Sequence, residues 1–285
     1  MRLSIILPCR NDAAALRRTL AWLASLPGIE DVEVIVAAAG DVGGTTEAAT
    51  GSARVVWPEA STRAALMNAG AKEARGDALL FLHADSSPPP AAFSLIRAAL
   101  ADSRVVGGAF EHQFTEACWS LRIISGINRV RYRLTRRYYG DQGIFLRADV
   151  FRHMGGYRDL ALMEDLDLTR RLGREGRTVL IRTPLRTSGR RFLARGPWRT
   201  FSFIVWLLLL ETLRLDPQRY AERWRGPADR EPGSPWPRNP NGDADRPQVA
   251  DLRRSMMTRV NQTGGERRER FATHTRGGTP EVGGE

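Results

Sequence analysis

The sequence is poor in lysine, in cysteine and in long apolar runs. Lys72 is the single lysine, so nearly all of the 43 basic side chains are arginine, and they outnumber the 32 acidic ones to give a net charge of +11. Cys9 and Cys118 lack the spacing of a zinc site or of a disulfide framework, which favours a reducing compartment. The longest apolar stretch, residues 201–213, is shorter than the roughly 18 residues of a membrane-spanning helix. Since the first apolar run is also too short for a signal peptide, we expect a cytoplasmic protein.

The positive charge is concentrated in two stretches, residues 122–147 and residues 182–199, and the second has six arginines and no acidic residue. Such charge suits a nucleic acid, an anionic membrane surface or a phosphorylated substrate. A general bias toward arginine accounts for part of it. Neither a nucleic-acid recognition motif nor a pattern of stacking aromatic residues accompanies the charge, so we expect no nucleic-acid partner.

The composition changes near residue 226. Residues 226–285 are rich in glycine and proline and poor in leucine, isoleucine, valine and phenylalanine. So few apolar side chains do not offset the entropy lost when a chain becomes ordered. We therefore expect a single folded domain over residues 1–225 and a disordered tail over residues 226–285.

Short apolar runs alternate with helical patterns, which predicts an α/β fold. Strands are expected at LSIILP, VEVIVAA, ARVVW, ALLFL, VVGGAFEHQF and RTVLIRTP, and helices at DAAALRRTLAWLASL, STRAALMNAGAKEA, AAFSLIRAALA and LMEDLDLTRRLGREG. Asn11 or Asp12 is expected to cap the first of these helices. Fully apolar strands that alternate with helices indicate a mostly parallel, Rossmann-like sheet with helices on both faces.

The loops at the carboxyl ends of the strands form the expected ligand site. They are residues 8–11, residues 37–44 and residues 83–85. The apolar strand GDALLFL ends at His83 and Asp85, and prolines 88–90 are expected to keep the next loop open. A carboxylate in such a crevice is suited to hold Mg²⁺ or Mn²⁺ together with phosphate oxygens.

Several ordered motifs carry a resemblance to a known family. They are SIILPCRNDAAALRRTL, STRAALMNAGAKEARGDALLFLHADSSPPP, GGAF, YYGDQGIFLR, GGYRDLALMEDLDLTRRL and TSGRRF. Over residues 1–225 the chain resembles the family 2 glycosyltransferases of the GT-A fold. It is most similar to the branch described as radical-SAM/selenodomain-associated or arsenosugar-biosynthesis glycosyltransferases. The resemblance implies an inverting hexosyltransferase that moves a sugar from a nucleotide-diphosphate donor to an acceptor hydroxyl or carboxylate.

The resemblance also implies donor-side and metal-binding roles. The sequence His83-Ala84-Asp85 stands where the wider family has DxD, so Asp85 would hold a divalent cation, Mn²⁺ or Mg²⁺, and the donor diphosphate. His83 would be a second metal ligand or a nucleotide contact, and the alternative is a residue that only caps a strand end. The remaining donor-binding residues implied by the resemblance are Pro8, Arg10, Asn11, Asp41, Arg63, Asn68, Arg190 and Arg191.

On the acceptor side, the resemblance implies that Asp165, next to Glu164, is the general base. The alternative is that the two acids only stabilise a helix start through the helix dipole. Asp167 is expected to be solvated. Tyr139, Asp141 and Gln142 would lie near the acceptor, although the segment containing them also suits an ordinary turn, and Glu111 would be a further polar contact.

One departure from the family bears on activity. Relatives carry an Asp-Gly-Gly-Ser-type run after the second strand, whereas this chain has alanine at positions 37, 38 and 39, and its first acid there is Asp41. Three interpretations remain open. Asp41 substitutes from a shifted loop, the donor differs, or activity is weakened. The alanines also favour a second hypothesis, a non-catalytic protein that binds a nucleotide sugar or a lipid on a degenerate transferase scaffold.

Residues 198–224 bear on the acceptor. The apolar helix expected at residues 199–214 is flanked by tryptophan, tyrosine and arginine, which suits a helix lying in the interface of an anionic membrane. The alternative is a helix packed on the catalytic body. The first interpretation predicts a lipid or carotenoid-acid (diaponeurosporenoate-type) acceptor and a peripheral protein on the cytoplasmic face of the cell membrane, and the second suits a small-molecule acceptor.

Overall fold

The computed structural model describes residues 1–60, 62–213 and 215–221, so the tail predicted for residues 226–285 lies outside the described residues. The strands are β1 Leu3–Arg10, β2 Val32–Ala39, β3 Arg54–Val56, β4 Ala78–Phe81, β5 Ser86–Ser87, β6 Val105–Phe114, β7 Ile144–Arg147 and β8 Arg177–Thr187. The α-helices are α1 Ala13–Ala24, α2 Val42–Ala49, α3 Arg63–Glu73, α4 Ala92–Ala101, α5 Trp119–Thr135, α6 Ala148–His153, α7 Glu164–Glu175, α8 Arg190–Arg195 and α9 Pro197–Thr212. Short 3-10 helices lie at Ile29–Asp31, Gly140–Gln142 and Gln218–Tyr220.

The strands form one mixed sheet in the order β3-β2-β1-β4-β7-β6-β8-β5. In this order, β3, β2, β1 and β4 are parallel to one another. Strand β7 runs antiparallel to both of its neighbours, and β6 and β8 are parallel to each other. The predicted α/β fold with a mostly parallel sheet is confirmed, since four of the seven pairings in the described sheet are parallel. The chain leaves β1 toward β2 on one side and later returns on the other side as β4, which opens a crevice at the carboxyl end of β1.

The sheet is covered by helices on both faces because its central strands are apolar on both sides. On β1, Leu3, Ile5 and Leu7 pack in a cluster with residues of α1 and α4, whereas Ile6 packs in a second cluster with residues of α3, α6 and α7. Alternate residues of a strand point to opposite faces, so a continuous apolar run buries both. The core therefore consists of two apolar layers that hold the carboxyl ends of β1 and β4 side by side.

The C-terminal apolar helix begins and ends two residues earlier than predicted, at Pro197 and Thr212. One side packs on the body, since Leu207 and Leu210 are buried in a cluster with Leu162. The other side stays exposed at Trp198, Val205, Trp206 and Leu209. Among the described residues, the helices are all too short or too polar to cross a bilayer.

Candidate active site

The segment after β4 is held more firmly than predicted. Residues 83–86 form a turn in which Ser86 N donates to His83 O at 3.2 Å, and the two residues of β5 then pair with β8. Thr19 Oγ1 donates to Ala84 O at 2.7 Å, and Trp22 Nε1 donates to Pro88 O at 2.8 Å. Helix α1 and strand β8 therefore both fix the backbone of the segment that carries Asp85.

Asp85 lies at the edge of the sheet beside the start of α8. Arg190 Nη2 is 3.9 Å from Asp85 Oδ2 and also pairs with Asp12. Burial raises the pKa of Asp85, and the positive charges of Arg190 and Arg191 oppose that rise. The structure thus brings together three residues that the sequence assigned to the diphosphate.

Glu116 positions this arginine segment. Its carboxylate accepts hydrogen bonds from Gly189 N at 2.6 Å, from Ser188 Oγ at 2.9 Å and from Thr115 Oγ1 at 3.0 Å. Burial alone would raise the pKa of Glu116, but the hydrogen bonds hold it below its ordinary value. Sequence reasoning missed Glu116 because no motif spacing connects it with residues more than seventy positions away.

His83 directs an unpartnered nitrogen into the crevice. Its Nε2 is buried and has no hydrogen-bond partner among the described residues. Burial, and then the charge of Arg63, hold the pKa of His83 well below its usual range. A neutral imidazole with a free nitrogen is suited to bind a metal ion or to make a hydrogen bond with a ligand.

Glu164 and Asp165 are buried at the start of α7 and face Arg63. Arg63 Nε lies 3.3 Å from Glu164 Oε1, and Arg63 Nη2 lies 3.8 Å from Asp165 Oδ2. Asp165 Oδ2 accepts a hydrogen bond from Gly140 N at 2.6 Å, and its Oδ1 accepts one from Leu166 N at 2.8 Å. Asp165 therefore satisfies a helix-start amide and also reaches the neighbouring loop. Arg63, predicted to bind the donor, is an ion-pair partner of the two acids.

Asn68 and Gln142 stabilise loops with both atoms of their side-chain amides. Asn68 Oδ1 and Nδ2 bond the backbone of Tyr157 at 2.9 and 2.8 Å. Gln142 accepts from Tyr139 N at 2.9 Å and donates to Phe110 O at 3.0 Å. The amides predicted for donor and acceptor contacts are thus engaged with the chain itself, and they fix the loops that surround Asp165.

Two side chains of the segment 139–142, Tyr139 through its hydroxyl and Asp141 through Oδ1, each keep an oxygen without a hydrogen-bond partner among the described residues. The hydroxyl of Tyr139 has no hydrogen-bond partner among the described residues, and the guanidinium of Arg131 lies 4.0 Å from the centre of its ring. Burial raises the pKa of Tyr139, so the hydroxyl stays protonated. Asp141 Oδ2 lies 3.6 Å from Nε2 of the buried His112, which is also hydrogen-bonded to Thr187 Oγ1 at 2.6 Å.

The nucleotide-side loops are joined by Asn11, which has a left-handed backbone conformation with φ 50°. Asn11 Oδ1 accepts a hydrogen bond from Asp41 N at 2.8 Å, and the Asp41 carboxylate caps α2 by accepting from Gly44 N at 3.0 Å. Pro8 and Arg10 lie on β1 in register with the alanines at positions 37 and 39 of β2. Strand β2 continues to position 39, so the first acid after it is Asp41, and that side chain caps α2.

Two acidic residues have structural roles that differ from the predictions. Asp167 is buried, with a relative exposure of 6%, and forms ion pairs with Arg158, Arg170 and Arg171. The prediction of a solvated Asp167 is therefore wrong, because the arginine side chains cover it. Glu111 is also buried, and it pairs with Arg129 and Arg133 of α5.

The residues present fit a divalent cation that is shared with a phosphate ligand. No cluster of three or more histidine, cysteine or acidic side chains with metal-site geometry occurs in the part of the chain that the structure describes. Mg²⁺ typically takes one or two protein carboxylates and completes its shell with phosphate oxygens and water. Asp85 supplies one such carboxylate, and the unpartnered Nε2 of His83 supplies a softer nitrogen donor.

By its sheet order and the carboxylates at the sheet edge, the protein is of the class that has the α/β fold of the GT-A glycosyltransferases. The chain belongs to glycosyl transferase family 2, since the model of that family matches residues 4–162, more than half of the chain. No curated protein sequence matches this chain.

Solved structures support the fold. A mannosyltransferase, PcManGT from Pyrobaculum calidifontis in complex with GDP-Man and Mn²⁺, is similar with a TM-score of 0.56 and 17% identity, over 79% of this chain and 64% of that chain. S. aureus TarS 1-349 in complex with UDP-GlcNAc gives 0.53 and 15%, over 66% and 58%. Glucosyl-3-phosphoglycerate synthase from Mycobacterium tuberculosis, in complex with Mn²⁺, UDP and glucosyl-3-phosphoglycerate, gives 0.52 and 17%, over 75% and 81%. The chain thus spans less than two thirds of the length of the first two proteins.

Proposed function

We propose that the protein transfers a sugar from a nucleotide-diphosphate donor to an acceptor hydroxyl or carboxylate, with inversion at the anomeric carbon. The observation that carries the proposal is the position of Gly140. Its amide bonds Asp165, and a Cβ added at this position would lie 2.8 Å from His83 Nε2. The candidate base therefore lies close to His83, a candidate metal or nucleotide ligand, as a direct displacement at a bound donor requires.

In the proposed reaction, Asp165 takes the proton of the acceptor hydroxyl as that oxygen attacks the anomeric carbon. The new carbon–oxygen bond forms as the bond to the diphosphate oxygen breaks, and the nucleoside diphosphate leaves. Arg190 and Arg191 stabilise the negative charge that develops on the leaving group, for which the arginine guanidinium is well suited. A divalent cation, Mn²⁺ or Mg²⁺, held by Asp85 and His83 would neutralise part of the same charge.

The donor class is inferred from the neighbours and from the sequence motifs. Two of the similar structures, PcManGT and TarS 1-349, are complexes with GDP-Man and UDP-GlcNAc, which supports a hexose donor and a hexosyltransferase. The motif resemblance supports membership of the radical-SAM-associated branch.

The acceptor class has two candidates, a small molecule and a lipid. A lipid acceptor is favoured by α9, which exposes Trp198, Val205, Trp206 and Leu209 on its outer side. Peripheral membrane contact within residues 198–224 would bring such an acceptor to the protein.

A second candidate function is nucleotide-sugar or lipid binding without turnover. It is favoured by the use of Asp41 as a helix cap and by the buried alanines of β2, which leave no acid at the end of that strand. It predicts ligand-induced stabilisation together with an absence of both transfer and donor hydrolysis.

One experiment tests the proposal and separates the two candidates. Thermal unfolding is measured with UDP-, GDP- and dTDP-sugars, with and without Mn²⁺, and the donors that stabilise the protein are then assayed for hydrolysis and transfer. A bound donor raises the unfolding temperature by mass action. The transferase proposal expects metal-dependent stabilisation and turnover of the same donor, and stabilisation without turnover would favour the binding protein. Lack of stabilisation by every donor would contradict both the transferase proposal and nucleotide-sugar binding.

A further inference from the structure

Helix α5 carries a row of apolar side chains that the core does not use. Its exposed members have relative exposures from 44% to 80% and are Trp119, Ile123, Ile127, Val130 and Leu134. Spacings of three and four residues place them on one side of the helix, within an arc of about 80°. The opposite side packs inward through other residues, which are Leu121, Ile124 and Tyr132. Helix α5 is therefore apolar on two sides, and one of them faces outward.

The apolar row continues onto α9. The ring centroids of Trp119 and Trp198 are 5.9 Å apart, so the first turns of the two helices adjoin. Along α9, the outer side exposes Val205, Trp206 and Leu209. Single exposed apolar residues are normal on a protein surface, but a contiguous patch marks an interaction site. We name this surface the α5–α9 face, defined by the exposed residues of α5 above together with Trp198, Val205, Trp206 and Leu209.

The charge around the α5–α9 face indicates what it binds. Helix α5 contains four arginines and no acidic residue. Arg122 on α5 and Arg199 on α9 are exposed, and neither forms an ion pair within residues 1–60, 62–213 and 215–221. Arginine beside exposed tryptophan and aliphatic side chains complements anionic headgroups above an acyl layer. A second copy of the same face would instead bring like charges together.

We propose that the α5–α9 face docks on the surface of an anionic lipid bilayer. The sequence predicted membrane contact through residues 198–224 alone, and the structure adds the whole length of α5. In this arrangement Trp119 and Trp198 lie at the interface, while Arg122 and Arg199 contact headgroups.

Docking would also orient the acceptor side of the site. Arg131 of α5 lies over the ring of Tyr139, and Arg137, just beyond α5, pairs with Glu211 of α9 at 3.4 Å. The docked face is thus directly connected to the segment 139–142, and this consequence rests on the proposed lipid acceptor. The docking itself is measured without any donor.

The test is co-sedimentation of the full chain with phosphatidylcholine vesicles, with and without phosphatidylglycerol. Wild type is expected to bind the vesicles that contain phosphatidylglycerol. Ile127→Glu combined with Val130→Glu is expected to weaken that binding about tenfold or more, because two charges would enter the acyl boundary. Ala21→Glu, at an exposed position of α1, is the matched control and is expected to bind as wild type does.

A second variant tests the charge contribution. Arg122→Gln combined with Arg199→Gln is expected to reduce binding to anionic vesicles severalfold and to weaken its dependence on salt. Arg18→Gln, at an exposed position of α1, is the control and is expected to bind as wild type does. The substituted residues of both double variants are exposed, so the unfolding temperatures of the two variants are expected to match that of wild type.

Three results would overturn the proposal. Wild type fails to bind anionic vesicles, both variants bind as wild type does, or light scattering shows a wild-type dimer that the glutamate variant converts to a monomer. The last result would assign the face to self-association. Failure of vesicle binding leaves glycosyl transfer intact, and an inactive protein that still binds vesicles leaves the docking proposal intact.

Discussion

The amide nitrogen of Gly140 lies 2.6 Å from Oδ2 of Asp165. This hydrogen bond and the one from Leu166 N to Oδ1 together fix the orientation of the buried Asp165 carboxylate. An aspartate that only capped a helix start would not need the bond from Gly140. That bond also ties the segment 139–142 to the first turn of α7. The position of the candidate base therefore depends on a loop that is distant from it in sequence.

Replacing Asp165 with asparagine is expected to lower the rate of sugar transfer by about two to four orders of magnitude, because the amide does not accept the acceptor proton. Donor binding is expected to stay close to that of wild type, since the shape of the side chain is retained. Steady-state transfer and donor calorimetry measure the two effects. Full activity in Asp165→Asn would assign the base to another group.

Asp85→Asn is expected to abolish transfer and also to weaken metal-supported donor binding about tenfold or more, equivalent to about 1.4 kcal/mol. The reason is the loss of the negative charge that would hold the cation at the diphosphate. Calorimetry with and without Mn²⁺ measures it, and Asp165→Asn is the matched control. An unchanged, metal-dependent affinity would disprove this role of Asp85.

Gly140→Ala is expected to reduce kcat by about a hundredfold, the scale on which a displacement of about 1 Å acts. A Cβ there would collide with Arg63 Nη2 and crowd His83 Nε2, so the side chains around Asp165 must move. Gly126→Ala on α5 is the control, since a Cβ at that position meets nothing within 4 Å. Gly126→Ala should leave kcat unchanged. Equal kcat values for the two variants would show that the packing around Gly140 is not needed.

Glu116→Gln is expected to lower the free energy of unfolding by about 1 kcal/mol at pH 7 and to lower kcat, because the start of α8 loosens. The folded-state pKa of Glu116 lies below its ordinary value. The unfolded chain therefore binds more protons, and the stabilisation present above a pH of about 4.3 is lost as the pH falls through the folded-state pKa. Denaturant unfolding from neutral to acid pH should show the difference between the two proteins shrinking.

Glu33 provides the matched control for this pH effect. Hydrogen bonds from Arg75 N at 2.8 Å and Ser4 Oγ at 2.6 Å outweigh burial and hold the pKa of Glu33 below its ordinary value, at a position on β2 away from the site. Glu33→Gln should reproduce the loss of stability and leave kcat unchanged. A loss of kcat in both variants would mean that general destabilisation causes it.

Asp167→Asn is expected to destabilise the fold by about 3 kcal/mol, because Arg171, which is nearly buried, would keep its charge without a charged partner. Thermal unfolding measures the loss. Arg158→Gln, which removes an exposed partner of the same carboxylate, should cost much less. Equal costs would show that the burial of Asp167 does not strengthen its ion pairs.

The sequence predicted the strands well, because apolar runs bounded by polar and glycine residues require only local information. The strand at residues 105–114 has the predicted bounds, and β1, β2 and β4 differ from prediction by one or two residues. Predictions that depended on long-range partners were less successful. Asp167 was expected to be solvated. Arg170 and Arg171 follow it at helical spacing, but its burial and its ion pair with Arg158 depend on how the loop before α7 packs on that helix.

By itself, the sequence determined where the longer strands and helices lie, with bounds that differ by one or two residues at β1, β2, β4 and α9, and it placed Asp85 and Asp165 at the ends of elements that border the candidate site. Periodicity and capping act over a few residues, so they are readable from the chain. Only the tertiary structure decided which side chains remain available. Asn68 and Gln142 are engaged by backbone groups, whereas His83 Nε2 and the hydroxyl of Tyr139 have no partner among the described residues. The physical reason is that a polar group's hydrogen bonds depend on what the fold brings within about 3 Å of it, and those contacts join residues far apart in the sequence.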